Sequence, residues 1–209
     1  MVYDLYKELY QLYGQQGWWP LLIRENSNEV KLEYRQGDYN SPRNEDELFE
    51  ICVGAILTQN TSWKNVERSM IKLFENNLLS ARKILEVDDD FLKELIRSSG
   101  YFNQKAIKLK RFSEFFLNLN GCVPRREDLL NVWGIGPETA DCILLYGYKI
   151  PVFVVDAYTK RILKQRGIIK GDESYDKIQE LFHKSLPKDH TIYEEFHALL
   201  VEHGKNIRV

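Results

Sequence analysis

Residues 129–144 read L-L-N-V-W-G-I-G-P-E-T-A-D-C-I-L, and V-F-V-V-D follows at 152–156. Two short apolar runs flank a Gly-Ile-Gly-Pro corner, the pattern of two helices joined by a tight turn. Such a turn needs backbone that tolerates positive φ and close approach, which Gly134 and Gly136 supply. Pro137 suits the first position of the second helix. Thr139 and Ala140 are small enough to let the two helices pack closely. Exposed N–H groups at such a helix start can bind a phosphate. A plain corner between helices also uses Gly and Pro, so G-x-G alone does not separate the two readings. Asp156 follows an apolar run and precedes a helical one, which makes it an N-cap. A capped helix start also fixes a carboxylate rigidly, and a catalytic group needs that rigidity.

The rest of the chain is helical in pattern. Residues 2–13 place Leu5, Leu9 and Leu12 on one stripe, with Gly14 as a stop. Residues 46–57 form an apolar helix. Trp63, Val66, Met70 and Leu73 recur at helical spacing over 62–75, with Ser62 as candidate cap. Asp88 caps a helix ending near Gly100, and Asn103 opens another ending near Gly121. Asp156 opens a helix through about Lys164, and a further one covers about 175–185 before Pro187. Thr191-x-x-Glu194 forms a capping box for the last, which ends at Gly204. The polar stretch 24–44 admits one short hairpin, because V-K-L-E-Y alternates. Many short helices with few strand signals predict an all-α protein.

The net charge is −2, so any nucleic-acid contact needs local basic patches and not an overall field. No apolar run approaches a membrane span. Met1–Tyr10 carries acids and lacks a signal-peptide core. Cys52, Cys122 and Cys142 are widely spaced, which supports neither a zinc site nor an iron–sulfur cluster. A reduced, cytoplasmic protein is expected.

The 129–156 string, with its leucines before the corner, Thr-Ala after it and the downstream Asp, resembles the helix-hairpin-helix and Gly/Pro-Asp signature of the endonuclease III superfamily of DNA glycosylases. Leu-Thr-Gln-Asn-Thr at 57–61 and Trp-Trp-Pro at 18–20 resemble segments of its 3-methyladenine branch, and G-Y-F-N-Q-K-A at 100–106 resembles another family segment. The resemblance covers about 17–20 and 46–206. It implies a two-lobed helical fold with the active-site cleft between the lobes. A six-helix lobe would cover 43–150, and a second, discontinuous lobe would combine 1–42 with 151–209.

The resemblance also assigns roles. Asp156 aligns with the catalytic carboxylate. Lytic, bifunctional members hold a lysine nucleophile where this chain has Glu138, so a monofunctional enzyme without lyase activity is implied. Glu138 is otherwise an acid favourably placed in the first turn of a helix. Gly134, Ile135 and Gly136, with Thr139, match the hairpin that grips the DNA backbone, in some relatives with a monovalent cation on hairpin carbonyls. Trp19 and Trp63 match aromatics that sandwich the flipped base, with Trp18 beside them. Trp63 also heads an apolar stripe, so core packing is its other reading. Gln59 matches a residue that fills the gap left in the DNA.

Two basic sets, Lys105 with Lys108, Lys110 and Arg111, and Lys160 with Arg161, Lys164 and Arg166, are solvated faces by default. Lys105 and Lys160 represent the two candidate phosphate contacts. His203-Gly204-Lys205 stands where relatives begin an iron–sulfur loop, with Arg208 near the place of a first cluster cysteine, so no cluster is expected. The implied function is hydrolysis of the N-glycosyl bond of a flipped alkylated purine in double-stranded DNA by a monomeric enzyme. Release of uracil or mismatched thymine is the alternative enzyme reading, and a non-catalytic DNA clamp the alternative from another class.

Overall fold

The computed structural model describes residues 1–25 and 29–207, so Arg208 and the tip of the 24–44 segment lie outside the described residues. Eleven α-helices, one 3-10 turn, one π-helical turn and one two-stranded sheet make up the regular structure among those residues. The chain opens with α1 (Val2–Tyr13), whose Val2, Leu5 and Leu9 are buried. Leu12 departs from the expected stripe and is exposed, because the helix turns it off the buried face. The antiparallel strands β1 (Leu21–Arg24) and β2 (Val30–Glu33) pair from Leu21 with Glu33 to Arg24 with Val30. This is the hairpin the alternation suggested.

Helix α2 (Glu45–Leu57) is buried over every residue from Phe49 to Leu57. A helix apolar all round belongs in the middle of a fold, and α2 packs against α3 (Trp63–Glu75), α6 (Phe102–Asn118) and α8 (Pro137–Cys142). Asn44 caps it by accepting the Glu47 N–H. Glu50, buried within α2, accepts the Leu22 N–H at 2.6 Å and so fastens β1 to it. Helices α4 (Ala81–Glu86) and α5 (Asp89–Leu95) lie on α6. The sequence pattern did not separate α4, which is too short to show a period. Asp88 caps α5 as expected.

After α7 (Arg126–Leu130) and α8, the chain makes a wider π turn over Ile143–Gly147. Helix α9 (Ala157–Gln165) packs on α11 (His190–Asn206), and α1 packs on α11 and on α10 (Tyr175–Ser185). The cap of α11 is Asp189, whose carboxylate accepts the Thr191 N–H and hydroxyl, so the expected Thr191 capping box is not the device used. Asp189 stands immediately before the first helical residue, two positions ahead of Thr191, and offers the better acceptor.

Candidate active site

A cavity of about 930 Å³ opens among the segment at 18–19, the starts of α3, α8 and α9, and one face of α11. Trp18, Trp19, Trp63, Glu138, Asp156 and His197 all line it. The chain reaches Asp156 through a buried extended run, Val152 to Val155, whose Phe153 ring stacks on Phe182 at 3.7 Å. Asp156 is then the N-cap of α9, accepting the Thr159 N–H at 2.7 Å. Its other oxygen lies 3.7 Å from His197 Nε2, an ion-pair distance too long for a hydrogen bond. Burial pushes this carboxyl up, but His197 and the Thr159 N–H outweigh it and hold the group below its ordinary value.

A buried network fixes the run that carries Asp156. Asp141, wholly buried on α8, accepts two bonds from Arg126 at 2.7 and 3.0 Å, one from Tyr175 and one from Gln179. Gln179 also donates to the Phe153 carbonyl, and the Val155 N–H donates to the Tyr175 hydroxyl. The hairpin helix, α7 and α10 are thereby tied to the backbone that delivers Asp156. Behind it, Tyr146 in the π turn lies 2.7 Å from His197 Nδ1. Asp141, Tyr146 and His197 were not singled out from sequence. An acid and a tyrosine inside an apolar run were the signals present.

Glu138 stands at the second position of α8 and faces the same cavity. The residue is exposed at the cavity edge, yet the crowding of its carboxyl by the cleft, then the charge of Asp156, raises that carboxyl above the ordinary value. It is more than a helix-dipole partner, because its side chain looks into the site.

The aromatic wall is closed on itself. Trp63 meets Trp18 at 4.7 Å between ring centroids and Trp19 at 5.2 Å, with interplanar angles of 61° and 87°. A base stacked between two faces needs them roughly 7 Å apart, two van der Waals contacts deep. The expected parallel slot is therefore not open in this structure, since indoles with nothing between them take the edge-to-face packing that rings favour. Trp19 is backed by Tyr146 and by Gly54, where an added Cβ would come within 3.0 Å of the indole. Trp63 is half-buried, and its indole N–H donates to the Tyr34 hydroxyl at 2.8 Å.

The corner forms, but only Gly134 uses the freedom expected of both glycines, since Gly136 is extended with φ −95°. Gly134 has φ +87° and Pro137 opens α8. An added Cβ on Gly134 would strike the Lys108 side chain at 2.6 Å. Thr139 and the Ile135 side chain are buried, while Gly136 faces open space. Gln59, expected to fill a gap in DNA, has its amide engaged elsewhere. It donates to the Gly134 carbonyl and to Thr139 Oγ1, and it accepts from Lys108. The exposed member of that turn is Asn60, with φ +54°, which also lines the cavity. A monovalent cation on the hairpin carbonyls would share Gly134 with this amide, close to the Lys108 ammonium.

Lys105 is corrected outright. It is buried, and its ammonium donates to the Leu57 and Ser99 carbonyls at 2.8 and 2.6 Å, so it cannot reach a phosphate. Lys160 is exposed on α9, one turn beyond Asp156. Among the described residues no group of three or more His, Cys, Asp or Glu is placed to hold a metal. Cys52 and Cys142 are buried and Cys122 is exposed, in separate elements, which does not make a cluster-binding set. Among the described residues no helix is long and apolar enough to cross a membrane.

Residues 53–188 match the profile of the HhH-GPD superfamily of base excision DNA repair proteins. The chain is 44% identical to the Methanocaldococcus jannaschii protein named "Putative DNA repair glycosylase MJ1434", over 98% of this chain and 87% of that one. It is 31% identical to the Thermotoga maritima protein named endonuclease III, over 79% of this chain and 78% of that one. Its fold is similar to that of the H. pylori 3-methyladenine DNA glycosylase MagIII bound to 1,N6-ethenoadenine, with a TM-score of 0.72, 27% identity and coverage of 100% and 99%. An endonuclease III–DNA complex shares the fold with a TM-score of 0.76 at 20% identity, covering 98% of this chain and 85% of that one.

Proposed function

The chain belongs to the HhH-GPD superfamily of base excision DNA repair proteins and is a DNA glycosylase, and from that premise we propose that it releases alkylated purines such as 3-methyladenine from duplex DNA without cutting the strand. The observation that carries this reading is a pair of acidic side chains, Asp156 and Glu138, in an indole-lined cavity, and the sequence resemblance puts Glu138 where lytic relatives hold their lysine. With no amine there, the sugar meets a fixed anion and water, and no Schiff base forms. Cleavage of the glycosidic bond builds positive charge on the sugar, which Asp156, held ionised, stabilises.

A flipped base enters between aromatics. Trp18, Trp19 and Trp63 supply faces that attract a cationic alkylated ring by about 0.5–2 kcal/mol beyond stacking. The likeness to a 3-methyladenine glycosylase that holds 1,N6-ethenoadenine supports this substrate class. Backbone N–H groups at Gly134, Ile135 and Gly136, with Thr139 behind them and Lys160 nearby, would grip DNA phosphates. The lobe division belongs to the same proposal: 1–42 with 151–209 would make one lobe, since α1 packs on α10 and α11, and 43–150 the other.

A second reading, release of a neutral base such as uracil, is favoured by one observation. A carboxyl raised above its ordinary value, as that of Glu138 is, suits proton donation, which a neutral leaving base needs and a cationic one does not. Base release should be measured on methylated and on uracil-containing duplexes, with borohydride added to trap any imine. Release from methylated DNA with an intact abasic strand and no trapped adduct is the expected result. A strong trapped band would overturn the monofunctional reading, and preference for uracil would select the second.

A further inference from the structure

Three of the chain's four tryptophans line the cavity that holds Asp156, and the fourth stands apart from it. Trp133 is 55% exposed, one residue before Gly134. Among the described residues no second ring stacks on it and no acceptor takes its indole N–H. It forms one side of a hollow of about 610 Å³ whose other side is α6. Ile107, itself 50% exposed, lies there with Phe115 and Val132. Large apolar side chains gathered in the open mark a contact surface.

Two features of this face select its partner. The first is its place. Trp133 is bonded to Gly134, whose φ of +87° makes the corner and whose missing Cβ lets Lys108 lie against it. The indole therefore keeps a fixed relation to the hairpin segment that grips the DNA backbone in the reading above. A strand held at the corner by one phosphate continues past it on either side. The second feature is charge. Lys108 and Arg111 stand on this side of α6 against one acid, Glu114, in a chain whose net charge is −2. Arg111 meets Glu114 at 3.6 Å, and both side chains are exposed. Such a pair contributes little and is screened by salt, so the guanidinium can exchange its carboxylate for a phosphate. The backbone of duplex DNA offers both complements: the C–H faces of deoxyribose for an indole, and a phosphate beside each sugar for a cation.

We propose that the face made by Trp133 and Ile107 is part of the DNA interface, the indole lying on a deoxyribose of the strand held at the hairpin and Arg111 meeting a phosphate beyond it. The assignment rests on the hairpin reading above and adds to it an apolar contact outside the base cavity. A contact with sugar and phosphate positions the protein and reads no sequence. It therefore forms on undamaged duplex as well, and holds the protein on DNA before any base is flipped.

The test is binding of the full chain to an undamaged duplex, followed by fluorescence anisotropy over a series of salt concentrations. Trp133→Ala should weaken binding roughly tenfold, as loss of a tryptophan anchor does at an interface. The slope of log K against log salt should not change, because an indole releases no counterion. Arg111→Ala should instead lower that slope by about 0.9. Trp133→Phe keeps a ring and should recover part of the affinity. All three should melt with the wild type, since both side chains are exposed. Acrylamide quenching of the wild-type fluorescence should fall when undamaged duplex is added, and that protected component should be missing in Trp133→Phe.

Wild-type affinity in Trp133→Ala, or an indole equally open to acrylamide in the DNA complex, overturns the inference and leaves the glycosylase reading standing. An unchanged salt slope in Arg111→Ala overturns the phosphate contact assigned to it. A wild-type chain that dimerises in sedimentation, beside a Trp133→Ala chain that does not, would give the face to a second copy and overturns the inference too. Failure of the wild-type protein to bind any duplex, damaged or not, removes the hairpin reading and this one together. Should Trp133→Ala fail to fold, wild-type quenching with and without duplex still decides.

Discussion

Two walls of one cavity are built to opposite specifications. The carboxylate wall is over-determined: Asp156 is held by the Thr159 N–H, its run is pinned through Gln179 and Tyr175 to Asp141, and His197 is braced by Tyr146. The aromatic wall has rings that touch one another, and its outer indole, Trp63, holds one hydrogen bond, to Tyr34. Charge stabilisation needs dipoles and anions already in place when the sugar becomes cationic. Recognition of a flipped base needs surfaces that separate to admit it. On the proposed reading the cavity would divide these demands between its walls, and substitutions should act on rate on one side and on base binding and opening on the other.

Asp156→Asn tests the rigid wall and should have the largest effect. Asparagine caps a helix as well as aspartate does, so α9 and the fold should survive. What disappears is the anion, and base release should fall by at least about 10²–10³-fold with binding to abasic DNA retained. A variant that releases base at the wild-type rate would show that the fixed charge is not the catalyst.

Trp19→Ala and Trp63→Ala test the other wall and should separate from each other. Both should lose roughly 1–3 kcal/mol of base binding. Trp19 is backed by Tyr146 and Gly54, so its removal should also lower the melting temperature. Tyr34→Phe frees the Trp63 indole without removing a ring. Faster base capture in stopped-flow fluorescence, with little change in stability, is the expected outcome. An unchanged capture rate would mean that the indoles separate without involving this hydrogen bond.

Buried acids give the scaffold a pH signature. Burial raises Glu50 and Glu194 to about 8, while the unfolded chain titrates near the ordinary value of about 4.3. A raised carboxyl contributes stability that is present below the unfolded pKa and is lost as pH rises through the folded one. Stability, followed as melting temperature, should therefore fall between about pH 4.5 and 8, with up to roughly 1.4 kcal/mol of free energy lost per pH unit for each group. Glu50→Gln keeps an acceptor for the Leu22 N–H and should flatten part of that slope. A stability that rises across the same interval would contradict the assigned burial.

The corner at Gly134–Pro137, the cap at Asp156 and the tryptophan segments were legible because each is a local arrangement, decided within a few residues. His197 and Tyr146 were not, since they meet across 51 positions of sequence and neither stands in a motif. Gln59 was readable as a type but not as a placement: its partner Thr139 lies 80 positions away. The buried network of Asp141 escaped for the same reason, although an acid inside A-D-C-I-L can be buried only if partners satisfy it. Periodicity reports which face of a helix is apolar. It does not report which polar group on that face a distant carbonyl will claim.

Lys105 and Lys160 bring that lesson to a measurement with a small, specific outcome. Both stand in basic helical runs, and from sequence each was a candidate phosphate contact. Lys160 is exposed on the helix that Asp156 caps, so Lys160→Ala should reduce the slope of log K against log salt by about 0.9 and leave the melting temperature unchanged. Lys105 is buried against the Leu57 and Ser99 carbonyls, and burial lowers its ammonium to about 8. Lys105→Ala strands two acceptors, at a cost of about 1–3 kcal/mol each in stability, and should leave the salt slope alone. Because the unfolded lysine holds its proton more tightly than the folded one, the wild-type protein should gain stability from this group between about pH 8 and 10.4, a gain absent in Lys105→Ala. If instead Lys105→Ala flattened the salt slope and spared the melting temperature, the side chain would have to leave its carbonyls to meet DNA.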